Sequence, residues 1–458
     1  MSMFVNRERE LEFLEEEYKT ERASFVVIYG RRRVGKTTLI KEFISDKPSV
    51  FFLATQETEK QNLKTLKDLI ANFTQNDLLK KTSEIPWDTL FTEFTRFKPA
   101  IKKVLVIDEF QYLGMTKRGF PSIFQRIWDE QLQNQNVMII ICGSIISMMK
   151  SQTLEYTSPL YGRRTGQINL GQIDFSHYHQ FFKRDKQDLI DYYSVTGGVP
   201  RYIEELKDEE DIYLGIQRKI LSRESYLFEE PVFLLEKELK EVGSYFSILK
   251  AIAQGNHKLS RISSRIEVNQ TSLSPYLATL IEMDILRRRV PVTETNPGKS
   301  KKGLYYIKDN FLAFWFRYCF PYQSYLEIGN TDYVLYEIKK DFQPNHVSLI
   351  YENVCEQLLI RNNITQRLGL LKIGKWWDKR NEIDIVGLNP ENNTILFCEC
   401  KNTKKPAGLR LYKELCEKAK KVQWRNQDRK EYYGFFSRSG YEKPLQALAK
   451  NKENLFLF

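Results

Sequence analysis

At 458 residues the chain is longer than a single core usually serves, since domains run to about 100–200 residues, and several folded parts are expected. A composition of 42% hydrophobic and 28% charged residues excludes a disordered chain. The formal net charge of +11 favours a polyanionic partner, and residues 341–458, with 21 Lys and Arg against 14 Asp and Glu, are the basic end.

The opening stretch MSMFVNREREL is charged and lacks the apolar core of a signal peptide, and the longest apolar run, VMIIICGSIISMM, is too short to span a bilayer. A soluble, cytoplasmic chain with no membrane partner is expected. The six cysteines form no CxxC pair and only four histidines are present, so neither a disulfide framework nor a zinc site is suggested.

In SFVVIYGRRRVGKTTLIKEFI an apolar strand is followed by a loop and a helix, and the loop satisfies GxxxxGK[ST] with Gly30, Gly35, Lys36 and Thr37. Gly35 lets backbone N–H groups approach phosphate oxygens, Lys36 reaches the β- and γ-phosphates, and Thr37 ligates Mg²⁺; Arg33, Val34 and Thr38 complete the ATP cradle. A second apolar strand, KKVLVIDEFQYLG, ends in Asp108 and Glu109. Asp108 is expected to hold the Mg²⁺ shell and Glu109 to orient or deprotonate the attacking water. A third strand, NVMIIICGS, ends in Ser144, either a γ-phosphate sensor or a helix cap. Arg163 and Arg164 follow in SPLYGRRTGQINL, where an arginine of a ring ATPase commonly reaches the neighbour's nucleotide, unless they are simply basic surface residues. TGGVPRYIEEL then places Pro200 at the start of a helix suited to a lid near the adenine.

Together, FVNREREL, GRRRVGKTT, VLVIDEFQYL, the Gly-Ser after the third strand, LYGRR and GGVPRY resemble the prokaryotic AAA+/STAND-like ATPases first described as an archaeal ATPase family. The resemblance covers roughly residues 1–240. It implies an α/β P-loop core with a helical lid, and Arg7 beside the adenine.

From Tyr245, apolar residues recur at helical spacing in three short segments, followed by LRRRVPV and GLYYI around the basic turn TETNPGKSKK. This pattern predicts a winged helix. Gln270, Thr271, Ser274 and Tyr276 are its candidate DNA-facing residues, and Lys299, Lys301 and Lys302 its wing cations; a protein-contact role is the alternative. The aromatic stretch DNFLAFWFRYCFPYQSY reads as a core joining domains. It fits the same family pattern, in which ATPase and winged helix precede a DUF234-like C-terminal domain of PD-(D/E)xK, or restriction-endonuclease, type.

That last domain calls for a helix, three strands, a helix and a strand, and SLIYENVCEQLLIRN, LKIGKWW, EIDIVGL, TILFCECK, GLRLYKELCEKAKKVQ and EYYGFFSRS supply the order. Strand alternation puts Glu399 and Lys401 on one face and Cys398 and Cys400 on the other. Asp384 meets the first pair across the hairpin. Asp384 and Glu399, with Glu352 from the helix, are expected to bind Mg²⁺, and Lys401 to position or activate water. No proline precedes Asp384; Glu382 lies two residues back.

The expected architecture is therefore α/β: a P-loop AAA+-like core over 1–170, a helical lid over 171–240, a winged helix-turn-helix over 241–310, an aromatic linker over 311–340 and a restriction-endonuclease-like α/β domain over 341–458. The expected function is an ATP-hydrolysing, DNA-directed protein, a Mg²⁺-dependent nuclease controlled by its ATPase, with defence against foreign DNA as its setting. It is expected to form a homo-oligomer through ATP and arginine contacts. The alternative is an ATP-switched DNA-binding regulator whose nuclease fold is catalytically silent.

Overall fold

The apolar runs SFVVIY, KVLVID and VMIIICG form β1 (Ser24–Tyr29), β3 (Lys103–Asp108) and β4 (Val137–Gly143), each buried along its whole length. Burial on both faces is what a parallel strand covered by helices requires. With β2 (Ser49–Leu53) and β5 (Gly166–Asn169) they make an all-parallel sheet in the order β2-β3-β4-β1-β5. β1 has β4 and β5 as neighbours, so the loop leaving it opens at a point where the strand order reverses, the usual place for a ligand in such sheets.

This is a computed structural model describing residues 4–83, 85–182, 186–239 and 241–458, and the chain divides into two units. The first holds the parallel sheet, through Ile173, together with Val199–Arg201; the second holds Asp174–Gly198 and Tyr202–Phe458. The lid expected over 171–240 is thereby split, and its end at residue 240 lies outside the described residues. The helix Lys186–Thr196 is tied within the second unit: Arg438 pairs with Asp191 at 2.8 Å, His346 donates to the Ser194 carbonyl at 2.8 Å, and Asn310 donates to the Tyr193 carbonyl at 2.9 Å.

Also in the second unit, the helices Val242–Ala253, Leu259–Ile266 and Gln270–Glu282 precede a two-stranded ladder, β6 (Leu286–Arg289) and β7 (Leu304–Ile307), as the winged-helix pattern predicts. The aromatic linker is a core element. Phe311, Phe314, Trp315 and Phe316 are buried, and the Trp315 indole donates to the Phe228 carbonyl at 2.8 Å.

The C-terminal sheet runs β12-β11-β10-β9-β8, from β8 (Lys372–Trp377), β9 (Glu382–Asn389), β10 (Thr394–Lys401), β11 (Lys430–Ser437) and β12 (Leu455–Leu457). β8, β9 and β10 are antiparallel neighbours, while β10, β11 and β12 are parallel. The helix Ser348–Ile360 precedes β8 and Leu409–Ala419 joins β10 to β11, the order expected from the sequence; helix Lys443–Asn451 and β12 are additional. The wing is part of this domain's core: Val292 is buried among Trp376, Ile383 and Val386, and its N–H donates to the Lys375 carbonyl at 2.9 Å.

Candidate functional site

The loop between β1 and the helix Lys36–Phe43 is shaped by its glycines. Gly35 has φ +95°, and a Cβ on Gly30 would lie 2.3 Å from the Leu170 carbonyl oxygen. Arg33 also takes a positive φ, 69°. Arg7 donates to the Val34 carbonyl at 2.9 Å and to the Gly171 carbonyl at 2.8 Å, so the arginine implied to lie by the adenine anchors the loop from beneath.

Lys36 is buried, and its ammonium donates to the carbonyls of Gly30 and Arg31 at 2.8 and 2.9 Å. Burial draws its pKa below the ordinary lysine value, against the pull of Glu109 and Asp108. Thr37, exposed like Thr38, donates to Asp108 Oδ2 at 2.9 Å. A hydroxyl at a helix N-terminus in contact with a buried carboxylate at a strand end is the donor set a Mg²⁺ ion bound with nucleotide uses. The residues present fit ATP and Mg²⁺.

Glu109 adopts φ 54°, unusual for a residue with a Cβ, and its N–H donates to Asp108 Oδ1 at 2.9 Å. Its carboxylate accepts from Ser144 Oγ at 2.8 Å and from the buried Gln111 amide. Ser144 thus holds Glu109 rather than pointing alone at a phosphate. The sequence motif does not single out Gln111; its position two residues past Glu109 is the signal that points to it. A Cβ on Gly143 would collide with Gln111 Oε1 at 2.2 Å, which explains the glycine before Ser144.

Arg163 lies beside Asp129 of the same chain: its Nε and Nη2 reach the carboxylate at 2.8 Å each, and Nη1 donates to the Pro159 carbonyl at 2.8 Å. Arg163 is thus engaged within its own chain. Pro200 opens the helix Pro200–Leu206, after Gly197 at φ 57°.

In the C-terminal domain, the β9–β10 ladder runs from Thr394↔Asn389 to Cys398↔Ile385 and ends one residue short of Asp384 and Glu399. Asp384 Oδ2 accepts from the Cys400 N–H at 2.9 Å. Glu399 is buried and accepts from Lys401 at 3.0 Å and from Lys418 of the helix Leu409–Ala419. Lys401 is thus beside Glu399 as expected, with Lys418 as a second cation that the strand pattern alone did not reveal.

One carboxylate oxygen each from Glu352, Glu382 and Asp384 lies within 4.8 Å of the others, a spacing open to a divalent cation. Glu352 and Asp384, expected from the sequence, are in this group; Glu399 is not, being engaged by Lys401 and Lys418, and Glu382 stands in its place. Burial, then the carboxylates of Glu352 and Glu399, push the Asp384 pKa up to about 8. The buried Lys375 donates to Glu352 Oε2 at 2.8 Å and pairs with Glu382. Burial opposes its charge, yet Glu352 and Glu382 outweigh burial and hold its pKa above the lysine range.

In the winged helix, Gln270, Thr271 and Ser274 are exposed and Tyr276 leans on the Tyr245 ring at 5.0 Å. Lys299 and Lys301 are exposed, while Lys302 pairs with Glu294 at 2.8 Å. Arg289 pairs with Glu356 at 2.8 Å, on the helix that carries Glu352.

Residues 4–206 match an ATPase domain found predominantly in Archaea, and residues 315–421 match a domain of archaeal and bacterial proteins of unknown function. An uncharacterized protein of Methanocaldococcus jannaschii is 38% identical over 425 residues, covering 92% of this chain and 92% of its own length. The chain belongs to this archaeal ATPase family. An uncharacterized ATP-binding protein of the same organism is 58% identical over 45 residues, 10% of this chain and 76% of that protein. Among solved structures, the Walker-type ATPase of Pyrococcus abyssi superposes with a TM-score of 0.52 at 22% identity, covering 68% of this chain and 96% of that one; the likeness is one of fold. The archaeal ATPase domain accounts for the loop at Gly30–Thr37 and the strand-end acids. Among the described residues, no helix is long and apolar enough to cross a membrane.

Proposed function

We propose that the ATPase governs a Mg²⁺-dependent DNA nuclease in the C-terminal domain, with the winged helix and the basic C-terminal surface as the DNA-binding parts. The observation that supports this reading is the approach of Glu352, Glu382 and Asp384, one carboxylate oxygen of each within 4.8 Å of the others, in the domain where Lys401 donates to Glu399. A divalent ion held there would polarise a phosphate and lower the pKa of its bound water. The chain's own contribution is to hold the three acids together and to set Lys401 beside the reacting phosphate. In the ATPase, Lys36 and the loop amides bind phosphates, Thr37 and Asp108 hold the ion, Glu109 orients water and Ser144 positions Glu109.

Defence against foreign DNA is a setting that suits this combination. Assembly into a homo-oligomer belongs to the same reading, and Arg164 becomes the first arginine to test, because Arg163 is engaged by Asp129. One observation favours the regulator reading instead: the wing's Val292 is packed into the C-terminal sheet, which makes the winged helix a protein-contact module at that edge. Divalent-dependent cleavage of plasmid and linear DNA by the parent and Asp384→Ala proteins, with and without ATP, separates the two. Cleavage abolished by Asp384→Ala supports the nuclease; ATP-dependent DNA binding with equal, negligible cleavage supports the regulator.

A further inference from the structure

Lys375 faces an irregularity in the β8–β9 ladder. Gly374 pairs with Val386 and Trp376 with Ile383, so two residues of β9, Asp384 and Ile385, stand opposite Lys375 alone. The extra residue belongs to β9, and such a bulge re-aims side chains of the strand that carries it. Here the Lys375 ammonium points into the acid cluster and contacts two of its three members, Glu352 and Glu382. Its backbone is fixed from the other side, where its carbonyl accepts the N–H of the buried wing residue Val292 at 2.9 Å.

A divalent ion shared by Glu352, Glu382 and Asp384 needs oxygen ligands at about 2–2.6 Å, and an ammonium already holding two of those carboxylates stands in its way. Two cations at such a separation repel, so ion and ammonium exclude one another. We infer that Lys375 is a built-in countercation that competes with the divalent metal for Glu352 and Glu382, and that the site becomes metal-loaded only when Lys375 swings out. The inference rests on the nuclease reading of this site and adds its regulation: whatever shifts the wing or β8 changes metal affinity. Both acids then exchange one cationic partner for another.

The test uses the full-length chain and Mn²⁺ as the probe, with Asp384→Ala setting the background. Lysine acetylation by acetic anhydride, read by mass spectrometry, should find Lys375 protected without metal and several-fold more reactive when Mn²⁺ saturates the site. In parallel, Lys375→Met should bind Mn²⁺ on the order of tenfold more tightly than the parent. Bound Mn²⁺ with Lys375 still protected, or weaker Mn²⁺ binding by a folded Lys375→Met protein, would overturn the inference and leave the nuclease reading standing. No Mn²⁺ binding above the Asp384→Ala background in either protein would remove both. The labelling arm needs no substitution at Lys375, so it decides the matter even where Lys375→Met fails to fold.

Discussion

Ser144 donates its hydroxyl to Glu109 at 2.8 Å, linking the ends of two neighbouring strands, β4 and β3, beside the P-loop. With the Gln111 amide on the same carboxylate, Glu109 is held in one orientation although its backbone takes a left-handed φ of 54° that costs about 1–3 kcal/mol. Glu109→Gln should keep ATP affinity within about threefold while lowering kcat by roughly 10²-fold or more, and Lys36→Ala should lose tight ATP binding. Ser144→Ala, which frees one side of the carboxylate, should lower kcat by a smaller factor with KM nearly unchanged. Steady-state hydrolysis and nucleotide titration check all three; parental turnover in Glu109→Gln would remove its assigned role.

The Arg163–Asp129 pair gives a second expectation. Arg163→Ala should lower the thermal midpoint of the ATPase unit modestly, since a partly exposed pair contributes about 1 kcal/mol or less, while Arg164→Ala should leave the midpoint unchanged. If Arg164 acts on a neighbour's nucleotide, mixing Arg164→Ala chains with Lys36→Ala chains should restore part of the hydrolysis that each lacks. A fully active monomer in analytical ultracentrifugation would end the idea of action in trans.

At the C-terminal site the residues should fail differently. Asp384→Ala should lose both Mn²⁺ binding and cleavage, whereas Lys401→Ala should keep the metal and lose cleavage by about 10²-fold or more. Isothermal titration beside a cleavage assay tells them apart; loss of Mn²⁺ binding in Lys401→Ala would make that lysine a structural partner of Glu399.

If the wing contacts DNA, the exposed Lys299 and Lys301 should each contribute about one released counterion, so replacing both with Ala should flatten the slope of log K against log salt by roughly 2. Fluorescence anisotropy over a salt series measures it. An unchanged slope would assign the wing wholly to protein contact.

His346 should make the second unit acid-sensitive. Burial lowers its pKa to about 4, against the Ser194 carbonyl that accepts its proton, with Arg317 and Asp341 nearby. The unfolded chain, with a histidine pKa near 6.5, binds more protons between these values, so stability is fully present above about pH 6.5 and is lost as pH falls toward 4. Between pH 7.5 and 5 that amounts to about 2 kcal/mol. Urea unfolding of the parent and His346→Gln at both pH values should show the variant losing less; parallel losses would place the acid sensitivity elsewhere.

Local chemistry made much of this legible in the sequence. The P-loop needs Gly30 and Gly35 for backbone reasons and the strand-end acids need a buried strand beneath them, so pattern and position coincide. Strand alternation likewise put Glu399 and Lys401 on one face and Asp384 across from them. What escaped depends on register irregularity or on distant packing: Lys375 stands opposite the extra residue of β9, Lys418 arrives from a helix beyond the hairpin, and Arg163 finds Asp129, 34 residues earlier in the chain. Consecutive helices make the lid look like one segment in the sequence, yet Asp191 and Ser194 are bound by Arg438 and His346, partners that lie far downstream.

Val292 fills a place in the hydrophobic interior of a sheet whose own strands begin eighty residues later, at Lys372. A fragment cut between the wing and that sheet would leave a valine-sized hole at the edge of β8 and strand an apolar wing tip in water. The stretch from β6 onward is thus one inheritable block. A chimaera that exchanges the C-terminal sheet while keeping its own wing must find a shape match at Val292 and at Leu304 and Tyr306 against Trp377, and one that moves the two together needs none.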